Sequence, residues 1–120
     1  MATYAKTTLS GSTDGRGILV AATATPGTTI HTGPTTTTTF HEIWLYAVNY
    51  DTTDRKLTVE WGGTTAGNDH IEFTVKAENG LYLIAPGLLL KGNATPLVVR
   101  AFAATGTAIV LHGYVNTITA

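Results

Sequence analysis

Apolar and polar residues alternate along much of the chain. Leu57, Val59 and Trp61 fall on one side of an extended backbone, and Thr58 and Glu60 on the other. Ile71, Phe73 and Val75 repeat the pattern against Glu72, Thr74 and Lys76. A period of two is the mark of a half-buried strand. Between these runs lies Gly62-Gly63-Thr64-Thr65-Ala66-Gly67-Asn68-Asp69, rich in residues that form turns and tolerate positive φ. The two runs therefore predict a long hairpin. Residues 40–50 predict a strand of another kind. Ile43, Leu45 and Ala47 occupy one face and Trp44, Tyr46 and Val48 the other, so both faces are apolar. Such a strand needs cover on both sides, from its own chain or from a neighbouring subunit.

The remaining pattern continues in short extended pieces. Residues 81–85 and 88–91 predict two strands separated by Pro86-Gly87. Pro96 precedes a strand over 97–103, at a position where proline is tolerated. In 108–118, Ile109, Leu111, Gly113 and Val115 oppose Val110, His112, Tyr114 and Asn116. Strands over 16–23 and 28–32 flank the turn Pro26-Gly27, and 35–39 is a run of threonines expected in an exposed loop. No window places apolar residues at i, i+3, i+4 and i+7, so almost no helix is expected. The expectation is an all-β fold of about eight strands, an antiparallel β-sandwich or jelly-roll-like domain, with a small barrel sharing the same turn spacing. Residues 1–13 are read as an N-terminal arm or edge strand, and 14–120 as a single β-sandwich domain.

Composition narrows the function classes. A chain of 120 residues suits one domain with a real core. Charged residues make up 12%, about half the usual ~25%, and 25 threonines replace much of the missing charge. Such a surface suits solvent-facing strands, and it also costs less to desolvate against another subunit than one covered in Lys and Glu. The formal net charge is -1 and the seven Lys and Arg are scattered, so no basic stripe points to nucleic acid. The apolar runs are too short to span a bilayer, and no apolar leader segment follows Met1. There is no Cys, hence neither disulfide nor thiolate.

Candidate chemistry is sparse. His31 and His41 flank the threonine tract and could meet if that loop closes a hairpin, with Glu42 or Asp69 as further ligands. Their spacing matches no compact ligand motif, and strand-end polar residues are the simpler reading, so no metal or other cofactor is expected. His112 reads as a hydrogen-bonded, half-buried histidine. Ser10 and Ser12 sit in no nucleophile elbow. Glu60 and Glu72 share the polar face of the hairpin and could pair as glycosidase carboxylates, but exposed strand carboxylates near Lys56 and Lys76 are the ordinary reading. The Gly-rich stretch around Asp14 has no following helix to bind phosphate. No catalytic residue is assigned. Trp44, Trp61, Tyr46, Tyr50, Tyr82 and Tyr114 raise the possibility of sugar stacking; Trp61 is in phase with the core, and Trp44 and Tyr46 with Val48, which favours packing.

Several stretches together carry a resemblance: Thr25-Pro26-Gly27-Thr28-Thr29-Ile30-His31-Thr32, Glu42-Ile43-Trp44-Leu45-Tyr46-Ala47-Val48-Asn49, Leu57-Thr58-Val59-Glu60-Trp61-Gly62-Gly63-Thr64-Thr65, Val99-Arg100-Ala101-Phe102-Ala103-Ala104 and Gly113-Tyr114-Val115-Asn116. From about residue 17 onward the chain resembles small structural proteins of tailed bacteriophages. The resemblance implies a virion component, with a capsid cement or decoration protein the foremost kind. It further implies binding to the major capsid protein, a homo-oligomer with a trimer favoured, and a place on the capsid surface after assembly in the host cytoplasm. A neck, tail or fibre component and a carbohydrate-binding module are the alternatives. The interface residues expected on this reading are Thr3, Tyr4 and Lys6 in the arm and Trp44, Tyr46 and Tyr50 along the two-sided strand.

Overall fold

The computed structural model describes residues 2–120. It contains nine strands and, among the described residues, no helix: β1 (Thr3–Thr8), β2 (Ile18–Leu19), β3 (Thr28–Thr32), β4 (Thr39–Asn49), β5 (Arg55–Trp61), β6 (His70–Val75), β7 (Tyr82–Lys91), β8 (Val98–Ala103) and β9 (Ile109–Thr119). The strands form two antiparallel sheets. The first runs β1-β9-β4-β7, with β2 also paired to β9, and the second runs β3-β8-β5-β6. Four pairings give the topology its logic. β2 pairs with β9, β3 with β8, β4 with β7, and β5 with β6. The chain is thus one long hairpin folded back at the β5–β6 turn and rolled into a sandwich, which is a jelly roll. The β4–β9 and β5–β8 ladders close the roll. β1 is an addition to this plan, extending the first sheet along the Tyr114 to Thr119 half of β9.

The core lies between the sheets and follows the period-two pattern. Ile43, Leu45 and Ala47 of β4 and Ile109, Leu111 and Val115 of β9 meet Leu57 and Val59 of β5, Val99 and Ala101 of β8, and Ile30 of β3, all fully buried. Asn49 is one of the buried polar residues. Its amide donates to the Thr53 and Val75 carbonyls at 2.9 Å each, and its Oδ1 accepts from Asp51 N–H at 2.9 Å. All of its bonding groups are used, so its burial leaves no unmet polar atom, and the β4–β5 turn is tied to the end of β6.

Two expectations need correction. The two strands expected over 81–85 and 88–91 are one, Tyr82–Lys91, because β7 is a sheet edge where a proline costs no ladder bond. Register shifts opposite Ile43/Trp44 and Leu45/Tyr46, with Gly87 at φ 77°, absorb the extra residues. The strand expected over 16–23 shrinks to Ile18–Leu19. Val20 still donates to Ile109, but the chain then leaves β9 and crosses toward the second sheet. The N-terminal stretch holds β1 at the edge of the first sheet. β1 is exposed at every residue, whereas Leu9, directly after it, is 1% exposed in the core.

Candidate functional site

The outer face of the first sheet is assembled from three long strands and β1. Cross-strand registers place Tyr4, Ile118 and Phe40 in one row, and Lys6, Asn116, Glu42 and Leu89 in the next. Tyr114 and Trp44 form the row after that, and His112, Tyr46 and Leu83 the following one. Trp44 lies nearly parallel to Tyr114, with centroids 6.1 Å apart and an interplanar angle of 11°. Lys6 Nζ stands 4.9 Å from the Tyr114 ring centroid, a cation–π arrangement that binds β1 to the face. Glu42 Oε1 accepts from Trp44 Nε1 at 2.8 Å and from Asn116 Nδ2 at 2.9 Å. These two donors hold its carboxyl below the usual carboxylate range. Tyr4, Leu83 and Leu89 remain 70, 48 and 57% exposed. The face is therefore apolar and aromatic, with its few charges placed in Lys6, Glu42 and Lys91.

Of the six expected interface residues, four converge. Tyr4, Lys6, Trp44 and Tyr46 share this face. Thr3 alternates to the opposite side of β1, which is also exposed. Tyr50 lies past the end of β4, far from Tyr4, and its hydroxyl donates to the Thr107 carbonyl. Leu83 and Leu89 were not anticipated. Their strand does not alternate, because two bulges interrupt its phase, so periodicity could not assign them a side.

His31 and His41 do meet, although not across a hairpin. β3 and β4 belong to different sheets, and the threonine loop between them crosses the sandwich edge. His31 Nε2 and His41 Nδ1 are 2.8 Å apart, and His31 Nδ1 accepts from the Ser10 backbone N–H at 3.0 Å. Because Nδ1 of His31 is an acceptor, its proton sits on Nε2, which donates to His41 Nδ1. Glu42 projects to the other face of β4, and Asp69 is engaged with the Thr65 N–H at 3.0 Å. Among the described residues no three metal-ligating side chains converge.

Glu60 departs most from its expected place. It is fully buried rather than an exposed strand carboxylate. The connection from β2 to β3 folds over the outer face of the second sheet. There Thr25 Oγ1 donates to Glu60 Oε2 at 2.5 Å, and Gly27 N–H donates to Oε1 at 2.7 Å. Gly27 has no room for a side chain, since a Cβ would meet the Ala101 backbone. His70 Nε2, 3.9 Å from Glu60 Oε2, is buried without a hydrogen-bond partner among the described residues. A hydroxyl, a carboxyl and an imidazole thus lie together, but the hydroxyl is bonded to the carboxyl and Glu60 is sealed from solvent. The cluster closes a loop onto the sheet. Glu72, its expected companion, pairs instead with Lys56 Nζ at 2.9 Å on the surface.

Burial pushes the His31 pKa from 6.5 down to about 4, helped by His41, and burial also lowers His41. A histidine depressed on folding contributes stability that is full above pH 6.5 and is lost as pH falls toward the folded value near 4. The lowered Glu42 and Asp51 act in the same direction further down, as pH falls below their unfolded values of 4.5 and 3.8. The urea midpoint is therefore expected to fall measurably between about pH 7 and about pH 5, before the carboxylates titrate. An equal midpoint at both pH values would contradict the buried, neutral pair.

No family model, curated protein or solved structure matches the chain.

Proposed function

We propose that this chain is a non-enzymatic virion structural protein of tailed bacteriophages, a capsid cement or decoration protein. It binds the major capsid protein and associates with copies of itself, most simply as a trimer. The observation that carries this reading is the outer face of the first sheet. Its central strand is apolar on both sides, and Tyr4, Leu83 and Leu89 stay open to solvent beside it. An apolar, charge-poor face of this kind is a contact surface. The resemblance to phage structural proteins supplies the partner. Jelly rolls serve in viral capsids and in lectins alike, so the fold supports the reading by analogy only.

A neck, tail or fibre component would use the same face and differ in location. The carbohydrate reading has one specific support, a shallow depression lined by Tyr4, Lys6, Glu42 and Asn116 beside an exposed aromatic ring. Trp44 and Tyr50 are less suited to it, because the indole N–H and the phenol hydroxyl are already bonded within the chain.

The test is a charge placed on the face where the fold does not need the side chain. Leu89→Asp is expected to change stability by no more than about 0.5 kcal/mol. It is expected to weaken self-association and capsid binding by at least about tenfold, since a buried unpaired carboxylate is costly. Light scattering and co-sedimentation with capsids read both. Unchanged association in the folded variant would remove this face from the interface.

A further inference from the structure

The segment after β1 fastens the N-terminus to both sheets. β1 itself pairs with β9 in the first sheet, while Leu9 enters the core. Ser10 and Gly11 then run along the free edge of β3 in the second sheet. Gly11 N–H donates to the Ile30 carbonyl at 2.9 Å, and Thr32 N–H donates to Ser10 Oγ at 2.7 Å. The Ser10 N–H is held by His31, which is held by His41. This seam is also tight, since a Cβ on Gly11 would lie 2.7 Å from the Ile30 and Thr29 carbonyl oxygens. β1 has little else to hold it. None of its six residues is buried, and beyond its ladder with β9 it has the Lys6–Tyr114 contact.

The imidazole pair has no vacant acceptor for a proton within its bonded chain. Two of the four ring nitrogens carry hydrogens, and the other two accept, one from Ser10 and one from His31. An added proton must go to one of the two accepting nitrogens, and either choice breaks a bond. At His31 Nδ1 it expels the Ser10 N–H; at His41 Nδ1 it sets two N–H groups against each other. Among the described residues, the strands facing the pair offer no compensating charge. His41 faces Thr117 on β9 and Leu90 on β7, and His31 faces Val99 on β8. The nearest charged neighbours along these strands, Glu42, Lys91 and Arg100, belong to positions that alternate to the outer faces, and the seam of Leu9, Ser10 and Gly11 carries no titratable side chain.

We propose that the Ser10–His31–His41 chain is a proton-operated latch, in which uptake of a proton by the imidazole pair frees residues 3–11 and uncovers the edge of β9 that β1 occupies. The device belongs to the folded chain itself and does not depend on the virion reading.

Hydrogen exchange of the whole chain tests it, with rates corrected for the pH dependence of the chemical step. Between about pH 7 and about pH 4, amides of residues 4–11 are expected to lose at least about tenfold of their protection, while β5 and β8 keep theirs. In the double variant His31→Asn/His41→Asn, which keeps an amide oxygen as acceptor at each position but binds no proton, the loss is expected to disappear. Unchanged protection of residues 4–11 in the natural chain would overturn the latch. So would their loss together with β5, or an identical loss in the double variant. If that variant does not fold, imidazole nitrogen shifts of the natural chain decide. Both histidines are expected as the Nε2–H tautomer at neutral pH, and an Nδ1–H tautomer at His31 would overturn the latch.

Discussion

Gly113→Ala is expected to remove most of the stability of this protein. Gly113 lies in β9 opposite Leu45, in the middle of the longest ladder of the first sheet, which pairs Thr39 through Asn49 with β9. A Cβ there would fall on the Trp44 carbonyl oxygen, 3.1 Å from its carbonyl carbon and 3.3 Å from Leu45 Cα. These are backbone atoms of the partner strand, so no side-chain rotation relieves the overlap. The two central strands must separate, and the core residues on both sides separate with them. A cost of about 4 kcal/mol or more follows, against a total of about 5–15 kcal/mol for a domain of this kind. Gly80→Ala is the matched control. Gly80 has φ 76° and nothing near its Cβ, so only the backbone term of about 1–2 kcal/mol applies. Urea unfolding of the two variants measures the difference. A Gly113→Ala protein within about 1 kcal/mol of the natural chain would contradict the close approach of β9 and β4.

The second large effect is expected at Glu60. Glu60→Ala leaves the Gly27 N–H and the Thr25 hydroxyl without their acceptor and empties a fully buried site. The loss of two hydrogen bonds to the buried carboxyl and the cavity together amount to about 2–4 kcal/mol. Glu60→Gln retains the volume and one carbonyl oxygen that can still accept from Gly27, so its cost is expected to be about half. Exchange of the amides between Ala22 and Thr28 should rise in step, because Glu60 is what closes that loop on the second sheet. If Glu60→Ala were as stable as the natural chain, Glu60 would have to be a surface residue, as its sequence pattern suggested.

The contrast between Glu60 and Ile43 shows how far alternation carries. Ile43, Leu45, Ala47, Leu57 and Val59 read correctly because side chains on one strand face share one environment, and that environment here is the core. Both-sided apolarity in β4 called for cover on both sides; its inner face lies in the core, and the outer positions Trp44, Tyr46 and Val48 are half-buried. Glu60 failed because alternation reports only which face a residue is on. The burial of that face depends on a loop from β2 to β3, whose approach to β8 is a tertiary fact with no local signal beyond Pro26-Gly27. β7 failed for a different reason. Pro86-Gly87 breaks a strand only if the backbone there must pair on both sides, and its edge position removed that need. The His31–His41 meeting was foreseeable as a pair of residues flanking one loop. The Ser10 N–H that completes the chain was not, because it comes from more than 20 residues upstream, at a separation of 21. The strand order was likewise absent from local pattern, since sandwich, jelly roll and barrel share the same turn spacing.

Location on the particle tests the proposed role most directly. Electron cryomicroscopy of virions carrying this chain is expected to show the jelly roll on the outer surface of the capsid, in contact with the major capsid protein, with the outer face of the first sheet buried between copies or against the shell. Density for the chain only at the neck, tail or fibres, or a virion that lacks the chain altogether, would contradict a capsid cement protein.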